Sequence, residues 1–362
     1  MMTSTTVDLA IVGSGPCGLA AAVAANREGL STLVFDRGTL VNGLASYPVY
    51  MSFFSTAERL SIGGVPFVIA TDKPTRRDAL AYYRAVASMH NVKVRQFETV
   101  ESVQRLRNDD ARFGMDDEAE LKTRPPRWQV NTRKRGGERC STFAHAVVVA
   151  TGYFGKPNRL GGVPGELLPH VAYRYSEGHA GWDEDVVVVG GANSAVDVAL
   201  DLYRAGARVT MVHFGAELDA NVKPWVRPDI MARINEGGIA ARFNSRVVGI
   251  EADHVVVREL SGGTSGAGGP SETRLPATQV YTMTGYQPET ALLEAAGVSL
   301  DIATGIPEHN RETMQTPLAG LYIAGVIASG FDANKIFIEN GRDHGQQIVA
   351  NILEQTPSPD VL

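Results

Sequence analysis

Residues 8–18 of this chain read DLAIVGSGPCG, and residues 185–195 read DVVVVGGANSA. The two stretches share one design, 177 positions apart, in which a short apolar strand runs into a Gly-rich turn that opens a helix. The pyrophosphate of a dinucleotide binds at the helix N-terminus of such a turn. One such turn is weak evidence, but two of them predict two dinucleotide sites. A pair of sites indicates a flavin that is reduced by a nicotinamide cofactor.

The repeat extends beyond the glycines. A shift of 177 positions carries Arg27 onto Arg204 and Asp36 onto His213. Two β-α-β units of equal length are therefore expected. The predicted elements are strand 7–12, helix 16–28 and strand 31–36 in the first unit, and strand 186–189, helix 193–205 and strand 208–213 in the second.

Composition narrows the class of protein. The chain has 362 residues, 44% of them hydrophobic, and a net charge of −6, which argues against a nucleic-acid partner. Its two cysteines, Cys17 and Cys140, predict neither a disulfide scaffold nor a metal site. Residues 9–26 carry no charge, but glycines interrupt them, so a strand, turn and helix are expected rather than a membrane anchor. The predicted location is the cytoplasm, where thiols stay reduced.

Between and after the two units, the pattern predicts one capped helix and further strands. Thr75 and Asp78 form a capping-box pattern before an apolar helical run. Residues 98–143 alternate short β-like runs with charged turns, which indicates a small antiparallel meander. The Gly/Ser-rich stretch 261–271 is expected to be a surface loop. The other expected elements are helix 79–89, the strands 92–95, 128–132, 146–150, 254–260, 275–283 and 321–325, and a closing helix 336–353.

The order of these elements predicts an α/β protein with two Rossmann-like domains and parallel sheets. A β-α-β half is followed by a complete second unit, and the chain then returns to a strand, turn and helix. The simplest topology inserts a nicotinamide domain, 161–280, into a discontinuous FAD domain, 1–160 and 281–362, which also contains the meander.

The first turn fits FAD better than the second does. Gly13, Gly15 and Gly18 permit a tight turn, approach of the pyrophosphate and close helix–strand packing. Asp36 ends the second strand of this unit, where a carboxylate accepts hydrogen bonds from a ribose with a free 2′-hydroxyl. FAD has that hydroxyl.

The second turn favours NADPH over NADH. His213 stands where NAD-specific domains place a carboxylate, so the usual contact to a 2′-hydroxyl is lost. Lys223 and Arg227 lie ten and fourteen positions further on and are candidates for a 2′-phosphate. The alternative for both is a solvated loop.

These residues resemble the thioredoxin-reductase-like flavoproteins. Within that group the chain is most similar to the bacilliredoxin reductase family, also called bacillithiol disulfide reductases. The broader resemblance rests on GSGPCG at 13–18, ATG at 150–152, GGANSA at 190–195 and TGYQP at 284–288. The narrower one rests on YPVYMSFFS at 47–55, KPWVRP at 223–228 and FIENGRDH at 337–344.

The fingerprints and the resemblance together assign cofactor residues. For FAD these are Gly13, Gly15, Pro16, Cys17, Gly18, Asp36, Arg37, Tyr47, Thr151, Gly152, Gly325, Val326, Lys335 and Ile336. For NADPH they are Gly190, Gly191, Asn193, Ser194, Ala195, His213, Lys223, Arg227 and Gly285. Many relatives carry Asp directly after Gly325, where this chain has Val326. Lys335 or backbone amides of the closing helix are candidates to replace that contact.

The chain lacks the redox cysteine pair of its relatives, both near 190–200 and within 42–47. Cys17 is the candidate catalytic thiol, because a helix start favours a thiolate. The alternative is a small residue packed beneath the pyrophosphate, and fingerprint geometry favours that alternative. Cys140 and His344 are weaker candidates. The aromatic residues of 47–54 are equally consistent with a flavin pocket and with ordinary core.

The resemblance implies an FAD enzyme that reduces a low-molecular-weight thiol disulfide with NADPH. The implied substrates are bacillithiol disulfide or the mixed disulfide of bacilliredoxin, and the enzyme is expected to be a homo-oligomer. The alternatives are a ferredoxin or flavodoxin NADP reductase, a flavin monooxygenase, or a flavin-binding redox sensor. The chain is acidic, whereas docking of an acidic ferredoxin requires a basic face. No Phe-x-Gly-x-x-x-His of the monooxygenases precedes the second turn.

Overall fold

A computed structural model describes residues 5–106, 127–260 and 271–355. The strands are β1 (Thr5–Val12), β2 (Thr32–Asp36), β3 (Val94–Gln96), β4 (Glu98–Arg105), β5 (Trp128–Lys134), β6 (Arg139–Val149), β7 (Lys156–Pro157), β8 (Val171–Ala172), β9 (Asp185–Val189), β10 (Arg208–Val212), β11 (Ile239–Arg242), β12 (Ser245–Ile250), β13 (His254–Glu259), β14 (Glu272–Pro276), β15 (Gln279–Thr282), β16 (Tyr286–Gln287) and β17 (Leu321–Ile323). The α-helices are α1 (Pro16–Arg27), α2 (Asn42–Ala45), α3 (Ala57–Leu60), α4 (Arg76–Met89), α5 (Asn193–Arg204), α6 (Arg227–Asn235), α7 (Ala291–Ala296), α8 (Ile338–Gly341) and α9 (His344–Glu354).

The chain divides into two compact units. The first comprises 1–45, 51–156 and 287–362, and the second comprises 46–50 and 157–286. The domain boundaries predicted at 160/161 and 280/281 lie a few residues from these divisions. Segment 46–50, predicted with the first domain, belongs to the second unit, where the Val49 amide donates to the Ser176 carbonyl oxygen at 3.0 Å.

The first unit is built on one sheet. Its strand order is β3-β2-β1-β6-β5-β4, and β17 pairs with the last residues of β6, beyond those that pair with β5. The strands β3, β2, β1, β6 and β17 are parallel, whereas β4, β5 and β6 form the antiparallel meander. Leu9, Ile11 and the aliphatic residues of β6 are buried because parallel strands are covered on both faces. The carboxyl ends of β1, β2 and β6 therefore carry the turns that form the first site.

The second unit repeats the same plan with a five-stranded parallel sheet, β11-β10-β9-β15-β8. A separate antiparallel sheet, β12-β13-β14, contributes to its core. Helix α5 buries Val196, Leu200 and Leu202 against β9 and β10. The predicted α/β class with two Rossmann-like units and a meander is confirmed. Among the described residues, no helix combines the length and apolar character needed to cross a membrane.

Several predicted elements need correction. The strand expected at 275–283 is two strands, β14 and β15, because the chain turns at Ala277. The closing helix expected at 336–353 is broken into α8 and α9 at Arg342 and Asp343. The capping box of Thr75 and Asp78 is present at the start of α4, as predicted. The Gly/Ser-rich stretch falls outside the described residues except for Ser271.

Candidate dinucleotide sites

The three glycines of the first turn have different structural roles. A Cβ at Gly18 would overlap the carbonyl oxygen of Gly13, and one at Gly13 would lie 2.8 Å from the carbonyl carbon of Ala150. Both glycines are therefore needed for close backbone packing, and Gly13 also has a φ of 108°. A Cβ at Gly15 meets nothing within 4 Å. Gly15 precedes Pro16, the first residue of α1, so open space lies beside a helix N-terminus, as a pyrophosphate requires.

Hydrogen bonds from the first Gly-rich turn and from Gly38 hold the Asp36 carboxylate in place. One carboxylate oxygen accepts from the Ser14 amide at 2.9 Å and from the Ser14 Oγ at 2.8 Å. The other accepts from the Gly38 amide at 2.8 Å. Ser14 is fully buried, and sequence reasoning treated it as a free position of the Gly-x-Gly motif. The carboxylate that is predicted to bind the ribose is thus fixed before any ligand arrives.

Thr151 and Gly152 follow β6 at the same sheet edge. The Thr151 Oγ1 is buried and has no hydrogen-bond partner within the described chain. Buried hydroxyls are nearly always bonded, so this oxygen is available to a bound group. Gly152 has a φ of 78° and open space where a side chain would be. Together with Gly15 and Asp36, these groups fit a dinucleotide such as FAD.

The returning segment brings Gly325 and α9 together. The Gly325 amide donates to His344 Nδ1 at 3.1 Å, and burial, with a smaller contribution from His309, lowers the pKa of His344. Because Nδ1 accepts, a neutral His344 carries its proton on Nε2. Lys335 is exposed and its Nζ lies 3.6 Å from Asp332 Oδ2, so it is already paired.

Cys17 is packed against this returning segment. A Cβ at Gly325 or at Gly341 would lie 2.9 Å from its Sγ, and Ile336 borders the same space. Burial, and then the charge of Asp343, raises the pKa of the Cys17 thiol to about 12. The expectation that the helix start favours a thiolate is therefore wrong in direction, since loss of hydration outweighs the helix dipole. Its role in catalysis stays a prediction.

The second turn repeats the first with altered contacts. The Gly190 amide donates to the Val212 carbonyl oxygen at 2.9 Å, as the Gly13 amide does to Phe35 at 2.8 Å. A Cβ at Gly190 would lie 2.5 Å from the Met283 carbonyl oxygen. Ala195, which replaces the third glycine, is buried on the inner face of α5. The turn thus keeps the tight backbone and the helix N-terminus that a pyrophosphate requires.

His213 and Gly191 correspond to Asp36 and Ser14. A Cβ at Gly191 would lie 2.5 Å from Cγ of the His213 ring, so the ring occupies the space that a side chain there would need. Burial lowers the pKa of His213, and its buried Nδ1 has no partner among the described residues. Burial thus disfavours the charged form of this imidazole.

The loop after His213 folds back onto the turn. The Asn193 side chain donates to the Asn221 carbonyl oxygen at 2.9 Å and accepts from the Lys223 amide at 2.8 Å. Lys223 Nζ lies 2.6 Å from Asp197 Oδ2 and is mostly covered. Both predicted cations are thus engaged, because Arg227 contacts a carboxylate as well, at 3.4 Å from Glu217 Oε2. Ser194 and Gly285 are exposed in this unit.

The family model for pyridine nucleotide-disulphide oxidoreductases matches residues 10–325. The chain belongs to this family. It is 40% identical over 345 residues to bacilliredoxin reductase Bdr of Bacillus subtilis (strain 168), covering 95% of this chain and 97% of that protein. The oxidoreductase described here is therefore an FAD-dependent enzyme, and its predicted cofactors, FAD and NADPH, are confirmed.

Solved structures agree with this assignment. The oxidoreductase matches bacillithiol disulfide reductase Bdr from Bacillus cereus with a TM-score of 0.86 and 39% identity, over 97% of this chain and 100% of that one. The Staphylococcus aureus enzyme matches with a TM-score of 0.85 and 35% identity, over 98% and 100%. Thioredoxin reductase of T. acidophilum, at 19% identity and a TM-score of 0.71 over 98% of this chain and 99% of that one, shares the fold. The predicted resemblance is confirmed.

Other candidates from the sequence are dispersed over the oxidoreductase. Cys140 lies partly exposed in β6, and both cysteines are free thiols. Of the aromatic residues in 47–54, Phe53 is buried, whereas Tyr50 and Phe54 are exposed. Burial, followed by an interaction with Tyr286 of the same unit, raises the pKa of Tyr47. Arg37 pairs with Glu289 at 2.7 Å. Arg37 and the aromatic residues remain predictions for the flavin site, and a redox role of Cys140 remains untested.

Proposed function

We propose that this oxidoreductase uses NADPH to reduce bacillithiol disulfide or the mixed disulfide of bacilliredoxin. The observation that carries the proposal is the similarity to a bacilliredoxin reductase over 95% of the chain, together with two solved bacillithiol disulfide reductases that match it over 97% and 98% of its length. The sequence has no second cysteine near Cys17, a feature that a ferredoxin–NADP reductase would share and that does not choose between the two functions. An enzyme of this kind does not pass electrons through an intrinsic Cys-x-x-Cys.

The overall reaction balances without another reagent. NADPH, one proton and a disulfide RSSR give NADP⁺ and two thiols RSH, so two electrons pass from the nicotinamide to the sulfur–sulfur bond. When bound, the two cofactors supply hydride and electron-pair transfer. The protein binds and orients them. In this proposal Gly15, Asp36 and Thr151 hold FAD, and Gly190 and the start of α5 hold NADPH.

Two routes to the disulfide remain in this proposal. Electrons pass directly to the substrate, or Cys17 first exchanges with the substrate, releasing one thiol and retaining the other as a mixed disulfide that is then reduced. The burial of Cys17 and its raised pKa support the direct route, because the thiolate is the attacking form. Mass spectrometry of enzyme quenched during turnover separates the two. An increase in the mass of the Cys17 peptide by one substrate thiol demonstrates the second route.

The test is NADPH oxidation by the purified FAD-loaded enzyme, measured at 340 nm under anaerobic conditions. Bacillithiol disulfide is offered with and without bacilliredoxin, and oxidised ferredoxin is offered in parallel. We expect oxidation to accelerate with bacillithiol disulfide or with its bacilliredoxin conjugate. No acceleration with either substrate, or a response to ferredoxin alone, contradicts the proposal. The ferredoxin arm is included because two ferredoxin–NADP reductases are 28% and 30% identical to parts of this chain.

We further propose that the reaction takes place in the cytoplasm and that the enzyme is a homo-oligomer. The two free thiols and the NADPH requirement support a reducing compartment. Fractionation of source cells tests the location. Light scattering after size-exclusion chromatography tests the oligomer, and a mass near 38.8 kDa contradicts it.

A further inference from the structure

The second dinucleotide site needs a cation that the sequence did not identify. The enzyme uses NADPH, whose 2′-phosphate lies at the end of the second strand of such a unit. That strand is β10, and His213 follows it. Lys223 and Arg227 are paired with carboxylates, and burial disfavours the charged form of His213 by lowering its pKa.

Arg246 is placed to supply this charge. Its guanidinium carbon lies 5.2 Å from the centroid of the Phe214 ring, and Phe214 directly follows His213. Arg246 is exposed and has no carboxylate within 4.0 Å among the described residues. Stacking on an aromatic face orients a guanidinium while leaving its N–H donors free for an anion.

The backbone fixes Arg246 at this point. The Ser245 amide donates to the His213 carbonyl oxygen at 3.0 Å, and the Asn244 amide donates to the Gly215 carbonyl oxygen at 2.8 Å. Two hydrogen bonds thus tie the start of β12 to the residues around Phe214. The position of Arg246 follows from this link and not from its long side chain alone.

Phe214 completes the arrangement. Its ring is 61% exposed and lies 4.7 Å from the His213 ring, centroid to centroid. The exposed Phe214 ring thus contacts both the imidazole of His213 and the guanidinium of Arg246, which places an aromatic face and a cation beside the end of β10. A phosphate accepts two parallel, charge-assisted hydrogen bonds from the guanidinium of an arginine. A 2′-hydroxyl is uncharged and cannot form such an ion pair.

We propose that Arg246, stacked on Phe214, binds the 2′-phosphate of NADPH and makes the enzyme prefer NADPH over NADH. The residue is a specificity determinant, and the inference does not depend on which disulfide is reduced. It replaces Lys223 and Arg227 as the expected phosphate ligands.

The experiment measures binding rather than turnover. Isothermal titration of the FAD-loaded enzyme uses NADP⁺ and 2′,5′-ADP, which carry the phosphate, and NAD⁺ and 5′-AMP, which lack it. We expect Arg246→Gln to weaken both phosphate-bearing ligands roughly ten- to a hundredfold, the usual loss for a hydrogen-bonded charge. Binding of NAD⁺ and 5′-AMP should change less than about threefold. Arg246→Lys should retain an intermediate affinity, because it keeps the charge without the fork.

Arg274→Gln is the matched control. It removes one positive charge from β14, which is separated from β12 by β13 in the same sheet and where Arg274 lies 3.5 Å from Glu251. We expect it to leave all four affinities unchanged, and bound flavin and melting temperature verify that every variant is folded. Equal loss of NADP⁺ and NAD⁺ in Arg246→Gln, or no loss at all, overturns the proposal. Selective loss of NADP⁺ in Lys223→Gln or Arg227→Gln, with Arg246→Gln unaffected, also overturns it.

Discussion

Substitution of Gly15 and Gly18 by alanine should separate cofactor binding from folding. A methyl group at Gly18 would overlap the Gly13 carbonyl oxygen and lie 3.2 Å from its carbon. That carbonyl cannot move freely, because the Ser14 amide of the same peptide group is bonded to Asp36 at 2.9 Å. A methyl group at Gly15 meets no protein atom within 4 Å.

The expected magnitudes differ accordingly. Overpacking in Gly18→Ala costs up to about 3 kcal/mol, and the better helix propensity of alanine recovers about 1 kcal/mol. The net loss of about 2 kcal/mol should lower the melting temperature by about 4 to 8 °C. Gly15→Ala should cost less than about 1 kcal/mol, the penalty for a poorer helix cap. Its methyl group occupies the approach path of the pyrophosphate, so the dissociation constant for FAD should rise roughly ten- to a hundredfold.

Two assays suffice. Urea unfolding of the FAD-free proteins gives the stability of each variant, and quenching of FAD fluorescence on titration gives the affinity. The reasoning is refuted if Gly15→Ala binds FAD as tightly as the unmodified enzyme. It is also refuted if Gly15→Ala loses as much stability as Gly18→Ala.

Three further outcomes are expected. Thr75→Ala should lower the free energy of unfolding by about 1 kcal/mol, because it removes the side-chain cap bonded to the first turn of α4. Thr75→Ser should keep this cap, so equal urea midpoints for the two variants would contradict the prediction. At pH 8 iodoacetamide should label Cys140 faster than Cys17, because burial of the Cys17 thiol raises its pKa to about 12. Equal labelling of the two cysteines, measured by peptide mass spectrometry, would argue against that burial. His344 has a lowered pKa in the folded state, so the unfolded chain takes up its proton first as the pH falls and stability decreases from pH 7.5 to 5.5. Urea unfolding should show a shallower pH dependence in His344→Asn, which keeps an acceptor for the Gly325 amide, and an unchanged slope would exclude His344 as the source.

The architecture was predictable because it is periodic. The repeat of the Gly-rich turn after 177 positions predicted two β-α-β units. Residues separated by 177 positions also make matching hydrogen bonds, as the amides of Gly13 and Gly190 do. The α4 cap was predictable as well, since a capping box is a local pattern. The break in the closing helix was not predicted, and neither was the close packing beside it of Gly341 against Cys17, which are distant in sequence.

The details of the two sites were less accessible to sequence reasoning. Ser14 occupies a nominally free position, and only the fold brings its amide and hydroxyl to Asp36. Lys223 was identified by sequence proximity, yet Asp197 on α5 pairs with it. Arg246 lies 33 positions beyond His213 and reaches the same place through backbone bonds between neighbouring segments. Contacts of this kind depend on tertiary structure.

The contact between Gly191 and His213 has a consequence for changing the cofactor preference of this enzyme. In the first unit the equivalent pair is Ser14 and Asp36, in which the small hydroxyl holds the carboxylate. His213→Asp alone would remove the ring that fills the space above Gly191 and leave the new carboxylate without the hydroxyl donor that Ser14 gives to Asp36. Gly191→Ser alone would collide with the ring. Conversion to NADH is therefore expected to need both substitutions together, in addition to the loss of Arg246.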